Sequence, residues 1–178
     1  MTKAVRKSDV RQPSRTPWIP LVAAAVVVVG SVLAVKAASQ GSQLGQEFAN
    51  QGQDHITAGA KHVAYNSFPA TSGPHYVAPK PWGAYTFEID QETLVHNLEH
   101  GGVVIQYNPD LLKVSPSKLE AVQAQFPNKT VVAPNAKLKV SLALTSWRRL
   151  YTLDAFDEPK IVDFIQRYKN RSPEQFPD

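Results

Sequence analysis

The stretch Asp90–Asn108, DQETLVHNLEHGGVVIQYN, holds a helix, its stop and a buried strand in immediate succession. Asp90 is a residue type favoured at a helix start, and QETLVHNLEH follows it with helix-forming composition. Gly101 and Gly102 stand at the C-cap positions, since glycine readily enters the left-handed conformation that ends a helix. The β-branched run after them, bounded by Gly-Gly on one side and Asn-Pro on the other, has the length and composition of a buried strand.

Working outward, Ala84–Glu88 (AYTFE) alternates in polarity and predicts a strand. Ahead of it, Lys61–Gly83 is dense in Pro, Gly, Ser and Thr. Pro69, Pro74, Pro79 and Pro81 remove backbone donors and fix φ, so this run is an ordered loop. Downstream, Ser115-Pro116 opens a helix, Ser117-x-x-Glu120 has the form of a capping box, and Leu119, Val122 and Phe126 recur at helical spacing before Pro127. KTVVAP (129–134) and KLKVSLALTSW (137–147) predict strands, with RRLYTLD (148–154) a third after a tight turn. Asp157 or Glu158 starts a last helix, whose stripe of Ile161, Phe164, Ile165 and Tyr168 is core. Helices and strands that mix without regular β-α-β alternation predict an α+β domain. Its sheet should be mostly antiparallel, with about three short helices and the Pro-rich ordered loop.

The chain has 178 residues and a formal charge of +4, which resembles a nucleic-acid signal until the charges are located. Lys3, Arg6, Lys7, Arg11 and Arg15 oppose Asp9 alone within residues 1–17, and the remainder carries 14 basic and 14 acidic residues. Neutralising phosphates requires cations gathered on a folded surface, so no nucleic-acid partner is expected. The absence of cysteine excludes disulfides, thiolate metal sites and thiol catalysis.

Trp18–Ala38, WIPLVAAAVVVVGSVLAVKAA, contains one charge, Lys36. As a helix its length is roughly 30 Å, the thickness of a bilayer's hydrocarbon core. The basic flank places residues 1–17 in the cytoplasm, so the chain is expected to span the membrane once and carry its C-terminal domain on the extracytoplasmic side. Removal of the segment as a secretion signal is the alternative. Residues 39–54, SQGSQLGQEFANQGQD, lack apolar periodicity and predict a flexible stalk, leaving 55–178 as the folded domain. The expected partner is the membrane, through the N-terminal helix; the sequence specifies no protein partner.

All five histidines, His55, His62, His75, His96 and His100, fall within 46 residues. His96 and His100 are four apart, so a helix projects both imidazoles from one face. His75 lies in the TSGPHY loop, where proline and glycine pre-organise the backbone. Imidazole ligands suit zinc or copper(II), while a single methionine and no cysteine argue against a carrier of copper(I).

Together, TSGPHY, PWGAY, LVHNLEHGGVVIQY, LALTSW and a C-terminal helix followed by RSPE resemble the membrane-anchored or secreted family known as domain of unknown function 3105. The resemblance covers most of residues 50–175. Residue by residue it selects Asp54-His55-Ile56, Tyr65-Asn66, Thr71 to His75, and His96, Glu99 and His100. His62 matches no motif. The resemblance therefore implies His55, His75, His96 and His100 as metal ligands, with Glu99 oriented behind them, and it implies no reaction. Two positions depart from the family pattern: Ala70 stands where a second proline is usual, and Arg148 where glycine follows Trp147.

Two other functions fit parts of the sequence. His96–His100 spells H-x-x-E-H, the inverted zinc-peptidase motif, with Glu99 as a general base, although Gly101-Gly102 ends the helix at once. Alternatively, the domain is a non-catalytic envelope interaction module whose histidines only brace the loop.

Overall fold

The computed structural model describes Met1 and residues 43–175. The expected basic tail at 1–17 and membrane span at 18–38 lie outside the described residues. Among those described, no helix is long and apolar enough to cross a membrane.

Residues from Leu44 onward form one compact unit. Its strands are β1 (Gln46–Glu47), β2 (His55–Ile56), β3 (His75–Tyr76), β4 (Gly83–Ala84), β5 (Val103–Tyr107), β6 (Thr130–Pro134), β7 (Leu142–Ser146) and β8 (Arg149–Leu153). Its helices are α1 (Gln91–Glu99), α2 (Ser117–Gln125) and α3 (Glu158–Tyr168). Six strands make one sheet in the order β1-β8-β7-β5-β6-β4, and β2 and β3 make a separate two-stranded ladder. The large sheet is mostly antiparallel, as expected for an α+β fold. Its β5–β6 and β6–β4 pairs are parallel, because α1 carries the chain back between β4 and β5 and α2 does so between β5 and β6.

The periodicity of β5 divides the core. Val103, Ile105 and Tyr107 pack with Leu119 and Val122 of α2 and Ile161, Phe164 and Ile165 of α3. Val104, on the opposite face, packs with Leu94, Val95 and Leu98 of α1, Ala70 of the Pro-rich loop and Trp147. Successive strand residues point to opposite faces, and both faces are covered, so a β-branched run rather than an alternating one is what this position requires.

Helix signals were obeyed unevenly. Asp90 occupies the N-cap of α1 without a side-chain cap, and the Ser117-x-x-Glu120 box is not formed, since Pro116 is the N-cap of α2. Asp157 caps α3 by accepting from the Lys160 N–H at 3.2 Å. At the end of α1, Gly101 has φ of +83° and Gly102 donates to the Asn97 carbonyl at 2.9 Å.

Two expectations need correction. The strand placed at 84–88 is only Gly83–Ala84, where pairing with β6 ends after two residues. The stalk placed at 39–54 is folded from Leu44 onward. β1 pairs antiparallel with β8, and the Glu47 carboxylate bridges Arg148 and Arg149, each at 2.9 Å. Gln51 receives Asn66 N–H at 2.7 Å and donates to the Ala64 carbonyl at 2.9 Å, and Asn66 donates to Ala49 at 2.8 Å. Apart from Leu44, which packs against the core, backbone pairing and polar side chains hold this segment, so hydrophobic periodicity has little signal there.

Candidate metal centre

The site begins with the β2–β3 ladder. The parallel register pairs His55 with His75, which sets the two rings side by side, their centroids 4.8 Å apart. The His75 N–H donates to the Asp54 carbonyl and the Gly73 N–H to the Gly52 carbonyl, at 2.9 and 3.1 Å. Tyr65 braces the same loop by donating to the Pro74 carbonyl at 2.5 Å, and burial pushes its phenol pKa above the usual range. These bonds make Tyr65 and Gly73-Pro74 supports for His75.

Helix α1 brings the remaining groups. Buried Asn97 clasps the backbone of Lys80, donating to its carbonyl at 2.7 Å and accepting from its N–H at 2.9 Å, which fixes the Pro-rich loop against the helix. His96 and Glu99 are three residues apart and share one face. The His96 ring lies 5.0 Å from each of the rings of His55 and His75.

His55, His75, His96 and Glu99 thus converge, with one potential ligand atom from each, all within 4.8 Å of one another. An ion with bonds near 2.1 Å holds tetrahedral donors about 3.4 Å apart, so side-chain shifts of order 1 Å would close the set. His75, His96 and Glu99 are almost wholly buried, whereas the His55 side chain is 45% exposed and forms the solvent side.

Hydrogen bonds orient the donors. His75 Nδ1 lies 2.8 Å from the Gly73 carbonyl and His96 Nδ1 lies 2.6 Å from that of Tyr76. A carbonyl only accepts, so both Nδ1 atoms carry hydrogen and both Nε2 atoms turn to the centre, the arrangement of metal-bound imidazoles. There His75 Nε2 lies 3.0 Å from Glu99 Oε2, and His55 Nε2 lies 3.5 Å from the same oxygen. Gln53 donates to Glu99 Oε1 at 2.9 Å. Burial alone would raise the Glu99 pKa; the Gln53 hydrogen bond, with His75 and His55, overcomes it and holds the carboxyl below its usual range. Burial pushes the His96 imidazole below its ordinary value; the Tyr76 carbonyl opposes this, while His100 and His75 reinforce it.

The converging set differs from the expected one in a single member. His100 is the C-cap of α1 rather than part of it, and its ring turns toward the C-terminal segment. His100 Nε2 lies 3.0 Å from His96 Nε2 and 3.2 Å from Glu174 Oε2. Glu99 stands among the donors in its place. His62 stays outside, paired with Glu92 at 3.1 Å and bonded to the Val63 carbonyl. Gln53 and Glu174 were not expected: one sits in the supposed stalk, and the other is the last residue of the RSPE motif.

Fold and site together define an α+β domain with a buried histidine–glutamate cluster that has the donors and spacing to hold a metal ion. Residues 55–177 match the family model described as Protein of unknown function (DUF3105), and the chain belongs to that family. No curated protein and no solved structure matches the chain.

Proposed function

We propose that this chain is a single-pass membrane protein whose extracytoplasmic domain binds a transition-metal ion, zinc or copper(II), through His55, His75, His96 and Glu99. The observation that carries the reading is the buried contact between His75 Nε2 and Glu99 Oε2 at 3.0 Å, with Nδ1 already committed to the Gly73 carbonyl. Two electron-rich atoms meet there away from water, so a cation lies between them, either a proton on Nε2 or a metal ion, and the convergence of the His55 and His96 rings on the same place favours the metal ion. Bracing histidines would turn their rings apart to separate partners, yet the Nε2 atoms of His75 and His55 approach one carboxylate oxygen, and a ligand atom of His96 lies within 4.8 Å of them. The hydrolase reading has less support, since both Glu99 oxygens are engaged within the cluster and α1 ends at that residue.

Elemental analysis of the purified full chain tests the site. Stoichiometric zinc or copper is expected in the wild type and loss of the tightly held ion in His75→Ala and His96→Ala, with circular dichroism unchanged. Background metal in the wild type would return the histidines to the scaffold. The placement rests on the apolar span behind a basic flank, and a reporter fused after Asp178 should be active only on the extracytoplasmic side.

A further inference from the structure

Beside the first cluster lies a second. Glu99, His100 and Glu174 also offer ligand atoms that all lie within 4.8 Å of one another. The two groups share Glu99, and they adjoin through the 3.0 Å contact between the Nε2 atoms of His96 and His100. We infer that the centre is dinuclear, with the Glu99 carboxylate common to a first ion held by His55, His75 and His96 and a second held by His100 and Glu174. This inference rests on the metal-binding reading above.

The chain beyond α3 is fastened so as to supply the second group. The Asn170 N–H donates to the Gly101 carbonyl at 2.9 Å, and the Glu174 N–H donates to the carbonyl of Glu99 itself at 3.2 Å. Asn170 Oδ1 accepts from the Lys129 ammonium, and Ser172 Oγ donates to the Glu174 carbonyl at 2.7 Å. Gly101 admits this approach, since a Cβ there would lie 3.0 Å from Asn170. The segment is tied by its backbone to the residue that both ions would share, and its carboxylate meets His100.

The two positions differ in chemistry. The first has three imidazoles and one carboxylate around a mostly buried centre. The second has one imidazole and two carboxylates, two of them partly exposed, with side-chain accessibilities of 24% for His100 and 43% for Glu174. Three protein donors leave a coordination position for water or an anion, as in open zinc sites, and carboxylate-linked ions typically stand about 3.5–4 Å apart. The second ion is therefore the more exchangeable one.

The test is the full chain loaded with Zn²⁺, freed of excess and analysed for metal, as wild type and as Glu174→Gln. The expected result is two ions per chain in the wild type and one in the variant, whose remaining ion resists a weak chelator as the tighter wild-type ion does. Loading with Cu²⁺ instead should give an exchange-coupled electron paramagnetic resonance signal that Glu174→Gln converts to that of an isolated ion. One ion per chain in both proteins, with an uncoupled copper signal, overturns the dinuclear centre and leaves the first site standing. No stoichiometric ion in either protein overturns both.

Discussion

Arg148 occupies the left-handed region, with φ of +62°, as the second of two residues that turn β7 into β8. A side chain there costs roughly 1–2 kcal/mol relative to glycine. Here the arginine has partners: its guanidinium pairs with Glu47 at 2.9 Å and its Nε donates to the Phe48 carbonyl at 3.1 Å. A glycine here, as the resemblance implies, would meet this backbone requirement without strain. Arg148→Gly and Arg148→Ala lose the same partners, but only alanine keeps the strain. Glycine should therefore be the more stable variant by about 1 kcal/mol, read from urea midpoints; the usual order, alanine above glycine, would contradict the turn. Ala70 is the other departure. Its N–H donates to Gln91 Oε1 at 2.9 Å, a bond that proline cannot make, so alanine here gives the loop a tie to α1.

The same scale fixes the response to acid. His96 has a folded pKa below its ordinary value of 6.5, so the unfolded chain binds its proton first, and stability falls as pH drops from 6.5 toward the folded value. Glu99, also depressed, contributes stability that is present above the ordinary carboxylate value of 4.5 and is lost as pH falls through its folded pKa. Both signs agree. The metal-stripped chain should lose stability progressively below pH 6.5, in urea titrations at a series of pH values, and His96→Gln should flatten the upper part of that loss. A wild-type midpoint unchanged down to pH 5 would contradict the His96 environment.

Among the elements, α1 is the one on which the site depends. Its start, its glycine stop and the buried strand after it were legible because each has a local cause. The convergence of His75 with His96 was legible only as a possibility, since it requires Asn97 to clasp Lys80 and β3 to pair with β2. Glu99 was read as an orienting group, although three-residue spacing already placed it on the His96 face. The segment at 44–54 was misread for a physical reason: its order comes from Gln, Asn and backbone bonds, which leave no apolar period. Gly102 tests the junction. A Cβ there would lie 2.6 Å from the Asn97 carbonyl and 2.7 Å from the Trp82 ring. Gly102→Ala should cost about 1–3 kcal/mol in unfolding free energy and shift the tryptophan emission as Trp82 is displaced. A variant as stable as the wild type would mean the helix end is looser than described.

Across the whole domain, the sheet buries one face under α2 and α3, while the other carries α1 and the Pro-rich loop with the histidines. The converging side chains come from four separated parts of the chain: β2, β3, the end of α1 and the segment beyond α3. In a chain with no cysteine, the two-residue ladder that pairs His55 with His75 has no covalent fastening. A bound ion would make it a cross-link that closes the loop between them and ties it to the helix, with a strength set by the free metal around it. An ion at 100 times its dissociation constant stabilises the folded state by about 2.7 kcal/mol. Protease cuts at the exposed Lys61 should accumulate in the stripped protein and fade as zinc is restored, with the melting temperature rising in step with the logarithm of free zinc. Cutting that ignores zinc would show that the ladder holds without it. In its compartment the domain would then be firm or loose according to the local metal supply, and its turnover by proteases would rise and fall with that supply.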